Sequence, residues 1–173
     1  MADTSTRDRS LLTMVCDAIA LSLRRFFVPM TIGLLAITVF FQVLNRFILH
    51  IPLPWTEEIG RYLFVWTSLL AAASGIREKA HLNVELLQNM LGEKGKRVIL
   101  LLSELITFGF FALLSYEGFY WVTKNGFQVR ADSIHIPMFY IQVIVPVSSV
   151  IMALFALDAL LGIFSNKYKE EGK

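Results

Sequence analysis

The sequence predicts an all-α membrane protein with four transmembrane helices, one or two interfacial amphipathic helices, and both termini on the cytoplasmic side. Three observations carry this reading. Of 173 residues, 55 % are hydrophobic and 17 % charged, with a mean hydropathy of +0.60, outside the range of soluble domains. Four stretches each supply the ~20 apolar residues that a helix rising about 1.5 Å per residue needs to cross a hydrocarbon core of roughly 30 Å. The basic residues are shared unequally between the ends of those stretches. The same totals exclude other classes. A net charge of +2, scattered along the chain, offers no basic face to nucleic acid. A single cysteine, Cys16, permits neither an internal disulfide nor a thiolate metal cage.

The elements follow in chain order. Residues 10–25 form an interfacial helix on which Leu11, Leu12, Val15, Ile19, Leu23 and Phe26 share one arc and Thr13, Asp17 and Arg24 the opposite one. Arg7, Arg9, Arg24 and Arg25 resemble the charged start of a secretory signal. The 20 uncharged residues of 26–45 exceed the ~7–15 of a signal core, so the segment is expected to remain as an anchor. The spans are 26–49, 56–76, 98–122 and 137–164, the last opening on Pro137 in its first turn and bearing a local kink at Pro146, beside Ser148 and Ser149. Between the second and third spans, residues 82–91 form a cytoplasmic amphipathic helix, with Leu82, Leu86, Leu87, Met90 and Leu91 on one side, closed by Gly92 and Gly95. Both amphipathic stretches suit the membrane surface, or alternatively a groove on a partner protein. No internal repeat or flexible linker divides residues 1–173, and one compact bundle is the simplest organisation.

Orientation follows from the cations. The N-terminal arm, the loop after the second span and the tail hold 12 of the 16 Lys and Arg residues, against four (Arg46, Arg61, Lys124 and Arg130) on the other side. Such an excess marks the cytoplasmic side. Trp55, Tyr120, Trp121 and Tyr140 then fall at the outer interface, where amphipathic rings settle.

Charged groups inside spans cost about 2.5–3.5 kcal/mol each near a helix centre, so each requires a partner. Glu57 and Glu58 open the second span, four and three residues before Arg61. The spacing suits local ion pairing, with Thr56 capping the helix and the carboxylates opposing its dipole, or alternatively recognition of a partner. Glu104 and Asp158 lie in the cytoplasmic third of the third and fourth spans, with no basic residue fixed between them; protonation, contact with water or pairing with another subunit would satisfy each. Trp66 sits deeper than an interfacial belt, and its indole N–H needs an acceptor in the bundle or on a partner.

No catalytic, substrate-binding or metal-ligating constellation emerges, and the chain does not read as an enzyme. His50, His81 and His135 fall at span ends or in loops, unlike the axial ligands of a membrane haem. Phosphate loops, HExxH helices and GxSxG elbows are missing. A self-sufficient small transporter of ions or solutes using Glu104 and Asp158 is the alternative function, although the paired repeats and broken helices common in such proteins are not evident.

The series Trp55-Thr56-Glu57-Glu58-x-x-Arg61, then Phe64-Val65-Trp66, then Arg77 and His81 with Leu82-Asn83-Val84, resembles the small membrane subunit of TRAP transporters, the DctQ-like family. Two departures are Ala71, where the family suggests Gly, and Ala80 before His81, where many members carry a polar residue. The resemblance implies a multi-pass protein of the bacterial inner membrane within a tripartite, sodium-coupled importer of organic acids. Sialic acid and C4-dicarboxylates are both within its scope, with overall likeness leaning to sialic acid. It further implies that a large elevator-type membrane subunit holds the sodium and substrate sites, that a periplasmic substrate-binding protein delivers the cargo, and that this chain braces the large subunit among membrane lipids without a cofactor of its own. On that reading Glu57, Glu58, Arg61, Trp66, Arg77, His81, Glu104 and Asp158 are structural or subunit-contact residues.

Overall fold

The computed structural model describes residues 11–51, 53–88 and 93–171. Its elements are α1 (Leu11–Ser22), a π turn (Leu23–Phe27), α2 (Val28–Phe47), α3 (Pro54–Gln88), α4 (Glu93–Asn125), α5 (Phe139–Gln142) and α6 (Ile144–Glu171). Four helical stretches are long and apolar enough to cross a membrane: Leu11–Phe47, Pro54–Arg77, Val98–Asn125 and Phe139–Ile163.

The expected interfacial helix and first span are continuous. Pro29 stands at the start of α2 and has no N–H to give to the helical ladder. The ladder is reset just before it, where the Val28 N–H reaches back five residues to Leu23 O, and this is the π turn. The polar arc expected on α1 is also corrected. Cys16 and Leu23 are buried in a core with Leu70, Ala73, Ile144, Met152 and Phe155, and Leu12, Ile19 and Ala20 pack against it. Leu11 and Val15 point outward, while Thr13 and Asp17 turn inward to polar partners. The helix docks on α3 and α6, whose polar groups draw in residues that a lipid surface would have left in water.

Continuity recurs in α3, which runs past the second span to Gln88. Residues 89–91 of the expected amphipathic helix and the closing Gly92 lie outside the described residues. Gly95 falls inside the first turn of α4 rather than after a helix end.

The last span, Phe139–Ile163, is interrupted at the single residue Val143, whose φ and ψ stay helical, so the local disturbance expected near Pro146 is present. Pro137 precedes the helix and pairs with Arg130 in an isolated antiparallel bridge. α5 stops at Gln142 and α6 starts at Ile144, because Pro146 offers no N–H and its ring crowds the carbonyl four residues back, that of Gln142. The preceding turn is fixed by Gly126, whose N–H bonds Val122 O at 2.9 Å and whose carbonyl accepts from Phe139 N–H at 2.8 Å. A Cβ there would lie 2.5 Å from Val122 O and 2.8 Å from Phe139 Cα.

The four long helices do not close into a compact bundle, as the sequence reading expected. α4 packs along α6, α6 against α3 and α3 against α2, giving an open row in the order α2, α3, α6, α4. Nine residues of the Phe139–Ile163 span are buried, against Val122 alone in Val98–Asn125 among the described residues. Gly118 allows α4 to approach α6 closely, for a Cβ on it would meet the buried Pro146 at 3.2 Å. α1 lies across α3 and α6 at one end of the row; the α2–α3 and α4–α5 turns form the opposite end.

Candidate functional site

Several polar side chains within the spans are satisfied by the chain itself, in three places, while buried Asn45 Nδ2, Thr67 Oγ1 and Gln142 Oε1 have no hydrogen-bond partner among the described residues. At the α1 end, the Arg77 guanidinium donates through Nη1 to Asp158 Oδ2 and through Nη2 to Asp17 Oδ1 at 2.8 Å. Thr13 Oγ1 donates to Asp158 Oδ1 at 2.9 Å, and the guanidinium carbon lies 5.8 Å from the Phe155 ring centroid. The Asp158 side chain is 8 % exposed, that of Arg77 17 % and that of Asp17 45 %. Asp158, expected to lack a fixed cation, is therefore paired within the chain, 81 residues from its partner. The buried ends of this cluster are held by α3 and α6, and its more exposed end clamps α1.

At the opposite end, Glu58 is buried and accepts from Tyr62 Oη at 2.7 Å and from the backbone N–H groups of Asp132 and Ser133 at 2.9 and 2.8 Å. This carboxylate pins the α4–α5 turn to the first turns of α3. Thr56 does not cap the helix as expected; its hydroxyl donates to Leu53 O at 2.7 Å. Midway along, Trp66 Nε1 donates to Ile141 O at 3.1 Å, a carbonyl beside the break between α5 and α6. The acceptor that the indole required thus belongs to the chain and not to a partner.

The residues of α3 sort by face. Thr56, Glu58, Trp66, Leu70, Ala73 and Arg77 point into the row. Glu57, Arg61 and Phe64 point away from it. The local pairing expected between the two carboxylates and Arg61 is not formed among the described residues. Glu57 Oε1 lies 4.0 Å from Arg46 Nη1 on α2, both side chains more than half exposed, and Arg61 has no acidic partner among the described residues. Leu35, Val39, Gln42, Glu57, Gly60, Arg61, Phe64 and Val65 line a groove of about 700 Å³ between α2 and α3. A smaller cavity of about 270 Å³ continues it towards the α2–α3 turn, sharing Gln42 and Glu57 and adding Arg46.

Glu104 is half-buried on α4, without an ion pair among the described residues. His81 lies on α3, and its side chain is outside the described residues. No group of three or more His, Cys, Asp or Glu that could hold a metal occurs among the described residues. Sequence reasoning missed Tyr62 and the inward roles of Thr13 and Asp17. For Tyr62 a signal existed, since it stands four residues after Glu58, on the same helix face.

Residues 35–166 match the family model described as tripartite ATP-independent periplasmic transporters, DctQ component. Among individual proteins, the chain is similar to the sialic acid TRAP transporter small permease protein SiaQ of Vibrio cholerae, at 31 % identity over 52 % of this chain and 53 % of that protein. It is similar to the C4-dicarboxylate TRAP transporter small permease protein DctQ of Pseudomonas aeruginosa, at 27 % over 65 % of this chain and 56 % of the other. It also matches the sialic acid TRAP transporter permease protein SiaT of Haemophilus influenzae, at 28 % over 52 % of this chain but 15 % of that protein. The matches thus span about half the length of these two small permeases and a minor part of the larger one.

Proposed function

Because the chain belongs to the DctQ component family of tripartite ATP-independent periplasmic transporters, we propose that it is the small, non-catalytic scaffold subunit of a sodium-coupled importer of organic acids, bracing a large elevator-type membrane subunit. One observation carries the reading. Arg77, Asp158, Glu58 and Trp66, the charged and aromatic polar groups turned into the row, are engaged by the chain's own packing, so they hold the scaffold and are not free to handle a solute. The alternative, a self-sufficient transporter using Glu104 and Asp158, loses support because Asp158 is locked to Arg77 and Thr13.

Sodium and substrate then bind in the large subunit, a periplasmic substrate-binding protein delivers the cargo, and this chain requires no cofactor. The site is the bacterial inner membrane, with both termini cytoplasmic. Similar relatives named for sialic acid and for C4-dicarboxylates support the organic-acid class without choosing between them.

Proteoliposomes test this. Under an inward sodium gradient, labelled sialic acid or succinate should accumulate only when this chain, its large subunit and the binding protein are all present. Robust sodium-driven uptake by the chain alone would overturn the scaffold reading.

A further inference from the structure

Among the described residues, one outward face of α3 carries charged side chains. On α3, Glu57, Arg61 and Phe64 recur at helical spacing along the side that faces away from the core. With Leu35, Val39 and Gln42 of α2 they wall the groove of about 700 Å³, on whose floor Gly60 lies. The charges within it do not balance. Glu57 is within reach of Arg46, which leaves the exposed Arg61 without an acid among the described residues. Arg61 stands two turns inside α3, about 10 Å from its first residue at 1.5 Å per residue, where an unpaired cation is disfavoured.

We propose that this α2–α3 groove seats a transmembrane helix of the large permease subunit, with Arg61 paired to an acidic side chain of that helix. The proposal rests on the small-subunit reading and adds the surface through which it works. Charge complementarity selects the partner's chemistry. A helix can place a carboxylate opposite Arg61 and, at the same time, apolar side chains along the full length of the groove against Leu35, Val39, Phe64 and Val65. The exposed stripe of α4 formed by Leu105, Ile106, Phe110 and Leu113 is apolar throughout and suits lipid tails. In the SiaT relative, moreover, the matched stretch makes up 15 % of a permease chain, so a segment of this kind occurs joined to a much longer polypeptide.

The test uses the full chain co-expressed with its large subunit, carrying a photoreactive benzoylphenylalanine at Val39, at Phe64 or, as a control, at Phe110. Irradiation of membranes should join Val39 and Phe64 positions, but not Phe110, to the large subunit. Arg61→Glu should lower recovery of the complex in mild detergent by about tenfold or more while Arg61→Lys retains most of it. Since no acidic partner among the described residues depends on Arg61, the isolated R61E chain should lose only the small stability that a like charge beside Glu57 and Glu58 costs, far less than the loss of complex. Adducts from Phe110 alone, adducts only with phospholipid, or full recovery of the R61E complex would each overturn the proposal while the subunit reading stands. Failure of the wild-type chain to co-purify with the large subunit would remove both.

Discussion

At Arg77 a single guanidinium serves two carboxylates on different helices, and the consequences differ between them. Asp158 is 8 % exposed, so removing its cation strands a buried charge, at a cost of about 3–5 kcal/mol. Asp17, 45 % exposed, retains access to other surroundings and loses less. Arg77→Ala is therefore expected to lower the melting temperature of the detergent-purified chain by roughly 10 °C, and Asp17→Asn by much less. Adding Asp158→Asn to the Arg77→Ala chain should restore part of the loss, because the stranded charge is gone; a further drop equal to that of Asp158→Asn alone would show the two groups to be uncoupled. How much of this was legible depends on distance along the chain. That Asp158 and Trp66 each needed a partner follows from their depth in an apolar span. Which partner does not, since Arg77 and Ile141 lie 81 and 75 residues away and are brought near only by the packing of α3 on α6.

Among the helices, hydropathy was enough to place the four spans, and proline chemistry governed where they depart from simple rods. Pro29 yields a π turn that keeps α1 and α2 continuous while re-aiming α1 onto α3 and α6, and Pro146 accompanies the interruption at Val143, two residues after the Ile141 carbonyl that accepts from Trp66. The sequence marks both prolines but not the outcome, because a missing N–H can be absorbed by re-registering the ladder or by interrupting it, and the neighbouring helices decide which. Glycines show the same dependence. Gly118 and Gly109 lie on one helix and look alike in sequence, yet a side chain on the first would strike Pro146 at 3.2 Å and one on the second meets nothing within 4 Å. Gly118→Leu should thus separate α4 from α6 and destabilise the chain by about 1–3 kcal/mol. Gly109→Leu should be neutral or slightly stabilising, since it improves helix propensity by up to about 1 kcal/mol. Thermal melts of the two variants in the same detergent check this, and equal losses would argue against the close contact.

The whole molecule is a row with two unlike edges: α2, attached through α3 and bordering the polar groove, and α4, attached along α6 and apolar on its free side. Hydropathy cannot reveal that order, for it reports how each segment partitions into the membrane and not which segments touch, and a compact bundle was the natural expectation. What the sequence does supply at this scale is orientation, from 12 basic residues on one side against four on the other. The structure makes that expectation testable with little background, because Cys16 is 1 % exposed and its Sγ lies 3.8 Å from Leu154 O, out of reach of a polar reagent. A second cysteine at the exposed Gln128, in the α4–α5 turn, should react with a membrane-impermeant maleimide in intact cells whose outer membrane has been permeabilised. A cysteine at Gly172 should react only after the inner membrane is opened as well. Since both turns lie at the end opposite α1, the reverse pattern would invert the whole row and place the Arg61 groove on the cytoplasmic side, where the large subunit would have to meet it from the other half of the membrane.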